Sequence, residues 1–351
     1  MAKLKTLKNL NVKQKRVLVR CDFNVPLSDK GEILDDFRIR ATLPTIEYLL
    51  KNQAKIILMS HLGRPDGQVV ENLRLTPIQD RLMEYLDLSI VKAPDCVGKE
   101  IEEWTKTMRP GEILLLENLR FHSEEEAGDL NFAQQLAQLG DVYVNDAFGV
   151  AHRPHASVVG ITQFLPATAG LLLEKEINIL NQLKQNPQKP LVVIIGGAKA
   201  ETKTKLINQM SEKAEWVLIG PLIHKEIKEK NLEIKYPEKI VAPVDEVAAG
   251  KDIGLATIKL FKEKINLAKT IFWNGPLGWI EKQEFRQGTE KLAQAIVASQ
   301  AFSVVGGGET VEFITQIGLL EKFNHVSTGG GAMLEFLAGD TLPGIEVLYG
   351  N

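Results

Sequence analysis

Cationic side chains and glycine-rich turns far apart in this chain suit the same anion-directed chemistry. Near the start stand Asp22-Phe23-Asn24 and the loop Ser60-His61-Leu62-Gly63-Arg64-Pro65. Arg38, Arg40, Arg120, His152 and Arg153 join them, each beside a loop signal. Arginine grips carboxylate and phosphate through two parallel hydrogen bonds, so the set suits a small, multiply charged anion. At the centre Gly196-Gly197-Ala198-Lys199 follows an apolar run, and Lys203 comes four residues later. Two lysines on one helical face at a helix start oppose the dipole unless an anion lies between them. Near the end are Gly306-Gly307-Gly308-Glu309-Thr310 and Ser327-Thr328-Gly329-Gly330-Gly331-Ala332. Glycine lets backbone N–H groups approach phosphate oxygens, and a helix starting there adds its positive end. Glu309 suits Mg²⁺, which often takes one or two protein carboxylates; it equally suits an acid that offsets the helix dipole. The arrangement in two halves points to two phosphate-bearing ligands held apart, the layout of a phosphotransferase.

These groups need a scaffold that ends strands beneath them. Short apolar runs alternate with helical patterns, which argues for parallel sheets with crossover helices. The spacing predicts strands over 16–20, 55–59, 90–92, 113–116 and 142–145, then 191–195, 216–219, 270–273, 303–305 and 325–327. Helices are predicted over 42–51, 76–85, 101–106, 131–139, 203–214, 257–268, 290–299 and 310–317. One long helix, 169–185, closes on the polar stretch 185–190, where we place the domain junction. The fold class is α/β: two Rossmann-like three-layer (α/β/α) domains with parallel sheets, joined by a long helix and hinge. Ligands in such sheets bind just beyond the carboxyl ends of strands, where Asp22, Asn24, His61, Arg64, Arg120, His152 and Arg153 fall. Trp273-Asn274-Gly275-Pro276-Leu277-Gly278 is a turn by composition.

A chain of 351 residues exceeds what one core usually serves, and 44% hydrophobic with 25% charged residues is ordinary for a globular protein. The formal net charge of −3 and the lack of a basic stripe exclude a nucleic-acid binder. No apolar run reaches the roughly 18 residues that span a bilayer, so no membrane role is expected. The Lys-rich, acid-free stretch 1–16 reads as an exposed first turn and strand rather than a targeting peptide, since an apolar strand follows at once. Two distant cysteines, Cys21 (placed inside the first strand) and Cys96, lack a neighbouring histidine motif and predict neither disulfide nor zinc site. A reducing cytoplasm fits. His224 and His325 read as surface or strand-end residues. A P-loop is absent, as is the Gly-x-Gly-x-x-Gly turn of a dehydrogenase after the first strand.

Taken together, Arg20-Cys21-Asp22-Phe23-Asn24-Val25-Pro26, residues 60–65, Leu115-Leu116-Glu117-Asn118-Leu119-Arg120-Phe121, residues 145–153, 196–199, 273–278 and 327–332 resemble phosphoglycerate kinase, in that family's order over almost the whole chain. The resemblance implies transfer of the acyl phosphate of 1,3-bisphosphoglycerate to Mg·ADP, giving 3-phosphoglycerate and ATP, by direct in-line transfer with hinge closure. It implies an N-terminal phosphoglycerate-binding domain (1–168), an interdomain helix (169–186), a C-terminal nucleotide-binding domain (187–335) and a segment returning to the N-terminal domain (336–351). Asp22, Phe23, Asn24, Arg38, His61, Leu62, Gly63, Arg64, Arg120, His152 and Arg153 would hold the glycerate. Gly197, Ala198, Lys199, Lys203, Gly220, Asn274, Gly275, Leu277, Glu281, Gly307, Gly308, Glu309 and Thr310 would hold the nucleotide, with Glu281 on the ribose and Glu309 on Mg²⁺. Arg38, Lys199, Lys203, Gly330 and Gly331 would serve the migrating phosphoryl group. A cytoplasmic monomer with these small-molecule partners is expected.

The chain departs from that pattern in one lobe. It is several dozen residues shorter than usual members, with the loss placed between Gly220 and Leu255, where an adenine-walling excursion is expected. Glu309 replaces the usual aspartate. The alternative is therefore a nucleotide-binding relative with weak or no kinase activity, a sensor or scaffold.

Overall fold

Short runs of Val, Ile and Leu, buried on both faces, form two parallel six-stranded sheets. The structure, a computed structural model, describes residues 3–350; Met1, Ala2 and Asn351, at the outer ends of the expected domains, lie outside the described residues. The first sheet holds β1 (Arg16–Arg20), β2 (Lys55–Met59), β3 (Ile90–Lys92), β4 (Ile113–Leu115), β5 (Val142–Asn145) and β6 (Ala167–Ala169), in the order β3-β4-β2-β1-β5-β6. The second holds β7 (Leu191–Ile195), β8 (Trp216–Ile219) and β9 (Ile240–Val241), and then, after a small antiparallel ladder of β10 (Glu246–Val247) and β11 (Asp252–Ile253), β12 (Thr270–Asn274), β13 (Phe302–Gly306) and β14 (His325–Val326). Its order is β14-β13-β12-β7-β8-β9.

Alternation along the strands makes the layers of the first unit. Val17, Val19, Ile56, Leu58 and Val144 pack with Ile39, Ile46, Ile78 and Leu82 of helices Phe37–Lys51 and Thr76–Leu86. Leu18, Ile57, Met59 and Tyr143 pack on the other face with Ile101, Phe132 and Leu136 of helices Lys99–Thr107 and Leu130–Gln138. Strand order reverses between β1 and β5 and between β7 and β12, the switch points where α/β sheets open a crevice.

The chain divides into two compact units within the long helix Leu171–Gln185: one runs to Ile177 and resumes at Thr341, the other is Asn178–Asp340. The resumed stretch is tied to the first unit where Gly344 N–H donates to Ala151 O (2.8 Å) and Asn145 Nδ2 donates to Gly344 O (3.1 Å). The long helix is capped by Asp146, whose Oδ1 accepts from Leu172 N–H (2.9 Å) and Leu173 N–H (3.2 Å). Asp146 is fully buried and its Oδ2 has no hydrogen-bond partner; burial pushes its carboxyl up to about 7.

Several local expectations shift. The helix expected at 42–51 begins at Phe37, because Asp35 Oδ1 accepts from Phe37 N–H (2.7 Å) and starts it early, placing Arg38 in its first turn. Cys21 lies one residue beyond β1, not inside it, and is buried. His325 is a strand-end residue, the first of β14, and is buried rather than on the surface. Helix Gly331–Leu337 starts at the glycine turn, as expected, whereas helix Pro221–Glu229 and the strands β6, β9, β10 and β11 were not legible from spacing. No helix among the described residues is long and apolar enough to cross a membrane.

Candidate active site

In the first unit the turn after β1 and the loops after β2, β4 and β5 bring the cationic residues together. Asp22 is nearly buried; its carboxylate lies 3.3 Å from Arg38 NH1, which also donates to Asn24 O at 2.9 Å. Asn24 Oδ1 in turn accepts from Gly63 N–H (2.8 Å) and fixes the Ser60–Pro65 turn against the Asp22 turn. Arg120 is buried, donates to Gly63 O (2.8 Å) and pairs with Glu126 (3.1 Å), while its Nε has no partner. Arg153 Nε lies 3.3 Å from His152 Nε2. Arg64 is exposed. Phe23 and Leu62 are core side chains, and their N–H groups are taken by Ser60 Oγ (2.9 Å) and Asn118 Oδ1 (3.2 Å).

Beneath them sits a buried network whose residues gave no signal in the sequence. Arg20, fully buried, donates to Ser157 Oγ (2.8 Å) and lies 3.7 Å from Glu125, also fully buried; Glu125 accepts from Ser157 N–H (2.9 Å). Glu125 stands in a run of three glutamates and could not be told from its solvated neighbours. Burial, with Arg20, Arg120 and Arg38 nearby, holds His61 well below the usual imidazole range. Burial and Arg20, Arg120 and Arg153 push His155 down to about 3. Both rings are thus neutral at physiological pH, and the positive field belongs to the arginines. Such a field in partly desolvated surroundings favours a polyanion.

In the second unit the corresponding feature is a cleft of about 330 Å³ at the carboxyl ends of β7, β8 and β12. Gly197, Ala198, Gly220, Leu277, Glu281 and Glu309 line it. So do Pro276 and Gly278 of the Trp273–Gly278 turn, and Pro221, Leu222, Ala249, Gly250, Lys251 and Trp279, which the sequence did not mark as site residues. Trp279 is half-exposed; its ring stacks on Phe285 (6.3 Å, 9°), with the ammonium groups of Lys251 and Lys282 at 5.8 and 5.7 Å. A larger cleft, about 420 Å³, is lined by Gln188, Thr270 and Phe302 at the amino ends of strands. That is the wrong end of a parallel sheet for a ligand.

The turns at the β7–β12 switch are locked backbone to backbone. Gly196 N–H donates to Asn274 O (2.9 Å) and Gly197 N–H to Pro276 O (2.6 Å). A Cβ on Gly196 would overlap Pro276 O, and one on Gly275 would overlap Gly196 O. Asn274 Nδ2 donates to Gly306 O (2.8 Å) and Gly275 N–H to Thr310 Oγ1 (2.9 Å), linking the third turn. Gly307 is held at φ 106° against Asn274.

Lys199 and Lys203 do not share a helical face. Lys199 is exposed and left-handed (φ 64°), just before helix Ala200–Ser211. Lys203 is inside that helix and buried, with Nζ donating to Gly196 O; burial lowers its ammonium pKa, opposed by Glu309 and Glu226. The anion at this helix start is a protein group: Glu226 of helix Pro221–Glu229 accepts from Lys199 N–H (3.1 Å) and Ala200 N–H (2.9 Å).

Two helix-starting glycines, Gly308 and Gly331, combine open space with a backbone that any residue adopts. A Cβ at Gly308, Gly330 or Gly331 would meet nothing within 4 Å, and Gly308 and Gly331 do not need a left-handed backbone. At Gly308 and Gly331 neither packing nor conformation demands glycine. Glu309, next to Gly308, is exposed and lines the cleft.

Comparison with known proteins was made on sequence and on structure. The family model described as phosphoglycerate kinase matches residues 7–235 and 221–340. Phosphoglycerate kinase of Moorella thermoacetica is 45% identical over 392 positions, covering 99% of each chain. That of Coprothermobacter proteolyticus is 44% identical over 388, again 99% of each. The alignment of 392 positions is longer than this 351-residue chain by 41, so the relative carries segments absent here. Among solved structures, phosphoglycerate kinase from Pyrococcus horikoshii OT3 superposes with a TM-score of 0.86 at 32% identity, covering 98% of each chain. The Coxiella burnetii structure gives 0.82 at 32% identity, covering 99% of each.

Proposed function

We infer the working of these residues from the premise that the chain belongs to the phosphoglycerate kinase family and transfers a phosphoryl group between 1,3-bisphosphoglycerate and ADP. Full-length similarity to named enzymes does not favour a sensor or scaffold. In our reading Asp22, Asn24, Arg38, His61, Arg64, Arg120, His152 and Arg153 hold the glycerate, with Phe23, Leu62 and Gly63 shaping the turns that carry them. Arg38 combines a partly exposed guanidinium with an Asp22 tether, so it can reach the transferring group while staying oriented.

The cleft takes the nucleotide. Leu222, Leu277 and Trp279 supply apolar wall, Glu281 faces the ribose, and Gly197, Ala198 and Gly220 form the floor set by Asn274 and Gly275. Lys199 and Lys203, with the turn Gly307-Gly308-Glu309-Thr310, meet the phosphates. Glu309 fits Mg²⁺: it is one exposed carboxylate on the cleft, the usual protein share when phosphates and water complete the shell. When bound, the ion would neutralise phosphate charge. In-line transfer needs positioning and charge neutralisation more than covalent help, and hinge closure would exclude water. A cytoplasmic monomer accords with this chemistry.

The observation that carries the reading is the open space at Gly308 and Gly331. Glycines that the fold does not require are explained by a ligand that must approach the backbone, here the phosphoryl group at Gly331, beside Gly330, whose φ of 47° itself calls for glycine. Gly331→Ala tests this. The added methyl has room and alanine favours a helix start, so the melting temperature should hold or rise slightly. Displacing the phosphoryl group by about 1 Å should cost about 100-fold in kcat. Undiminished turnover in a folded Gly331→Ala enzyme would contradict the assignment.

A further inference from the structure

Away from the arginine cluster and the cleft, the first unit brings together three side chains of different ligand chemistry. Asp95 and Cys96 lie in the loop after β3, and His122 directly follows the turn Leu119–Phe121. A carboxylate oxygen, the Cys96 Sγ and a His122 ring nitrogen all lie within 4.8 Å of one another. Sequence spacing had excluded a metal site because neither cysteine has a nearby histidine motif. The fold supplies one from 26 residues downstream of Cys96.

We propose that Asp95, Cys96 and His122 form a binding site for a borderline-soft divalent cation of the Zn²⁺ class. The geometry is that of a metal site held together by protons. Asp95 Oδ1 lies 2.7 Å from His122 Nε2 and 2.6 Å from Cys96 N. The imidazole is fixed from its face by Phe132, with ring centroids at 5.2 Å and planes at 29°. The thiol is buried, whereas the Asp95 and His122 side chains are 49% and 27% exposed, which gives an ion its way in.

Charge favours the exchange. A divalent cation forms bonds to thiolate sulfur, carboxylate oxygen and imidazole nitrogen; the S–H bond breaks and its proton passes to solvent, as does one imidazolium proton where His122 carries it. One 2+ ion with one thiolate and one carboxylate leaves the site neutral, which suits its half-buried position. Nothing is oxidised or reduced. Ligand atoms around tetrahedral zinc stand about 3.5 Å apart, given bonds of roughly 2.0–2.3 Å. The Asp95–His122 pair, hydrogen-bonded at 2.7 Å, therefore opens by about 0.8 Å as both side chains turn onto the thiolate, and water takes the fourth position. Thiolate with imidazole selects zinc-like ions over Mg²⁺, so the site is independent of the metal that accompanies the nucleotide.

The test uses the full chain, reduced and stripped of metal, titrated with Co²⁺ as a spectroscopic stand-in and then with Zn²⁺. The expected result is one equivalent of Co²⁺ with a thiolate-to-cobalt charge-transfer band, displaced by Zn²⁺. The band should vanish in Cys96→Ser and persist in Cys21→Ser, whose sulfur is outside the cluster. Because Cys96 is in the core, His122→Gln provides a second variant on a partly exposed position, and its Co²⁺ affinity should fall at least tenfold. Calorimetry in buffers of different ionisation enthalpy should show at least one proton released per ion. Absence of the band from the folded wild type, or its survival in folded Cys96→Ser, overturns the proposal.

Discussion

Glu226 is an anion already seated where a nucleotide phosphate is expected to bind, and removing it should tighten nucleotide binding. Its carboxylate accepts from the first N–H groups at the Ala200–Ser211 helix, at 3.1 and 2.9 Å. It also lies 3.4 Å from Lys230 and contributes to the charge around Lys203. A phosphate that uses those donors must first release them. Hydrogen bonds to charged groups are worth about 1.5–3 kcal/mol when shielded, but exposed ion pairs retain only about 0.2–1. With the Glu226 side chain 22% exposed, about 0.5–1 kcal/mol per bond is reasonable, or about 1–2 for both. The dissociation constant for ADP should therefore fall roughly 5- to 30-fold in Glu226→Ala, with an intermediate value for Glu226→Gln. Isothermal titration without divalent metal reads this directly. Glu229→Ala, on the same helix and paired with Lys225, serves as the control and should match wild type. Unchanged or weaker ADP binding in Glu226→Ala, with the fold intact, refutes the displacement argument and makes Glu226 a support of the loop instead.

Other outcomes follow from the same geometry. Asp146 has a folded pKa of about 7 against an ordinary 3.8, so its protonated form stabilises the fold at low pH and that contribution is lost as pH rises through this window. The full loss is on the order of 4 kcal/mol; urea midpoints should fall between about pH 4 and 7 in wild type and much less in Asp146→Asn, and parallel pH profiles would count against it. Trp279 is the half-exposed indole of the cleft whereas Trp273 is buried, so ADP should quench tryptophan emission and Trp279→Phe should remove most of the change. GDP should give a similar quench if the chain's shorter length falls at this cleft and relaxes base selectivity; a strong ADP preference argues against that. Glu309→Ala should raise the Mg²⁺ concentration needed for half-maximal turnover about tenfold, and an unaltered requirement would remove Glu309 from the metal.

The sheets were legible because burial on both faces writes itself as continuous apolar runs. Leu191–Ile195 and Lys55–Met59 fall where the runs do. Short strands such as Ile240–Val241 carry no such run, being two residues long and half-buried. Helix Pro221–Glu229 was obscured because its Lys and Glu residues resemble a polar return loop, and that concealed Glu226 as well. The arginines were visible through their loop signals. Their supports, Arg20, Glu125 and Ser157, were not, since a buried salt bridge has no one-dimensional signature. The pairing of His122 with Asp95 was hidden for the same reason: it depends on two loops after different strands meeting in space.

The interlocked turns at Gly196 and Gly275 constrain how this protein can diverge. Each occupies the volume a side chain would need on the other, so neither position can change alone, and a compensating change at the partner would have to create space where there is only main chain. Change in this region is therefore confined to the side chains around the two turns, while the paired glycines can be replaced only together with the main chain that carries them.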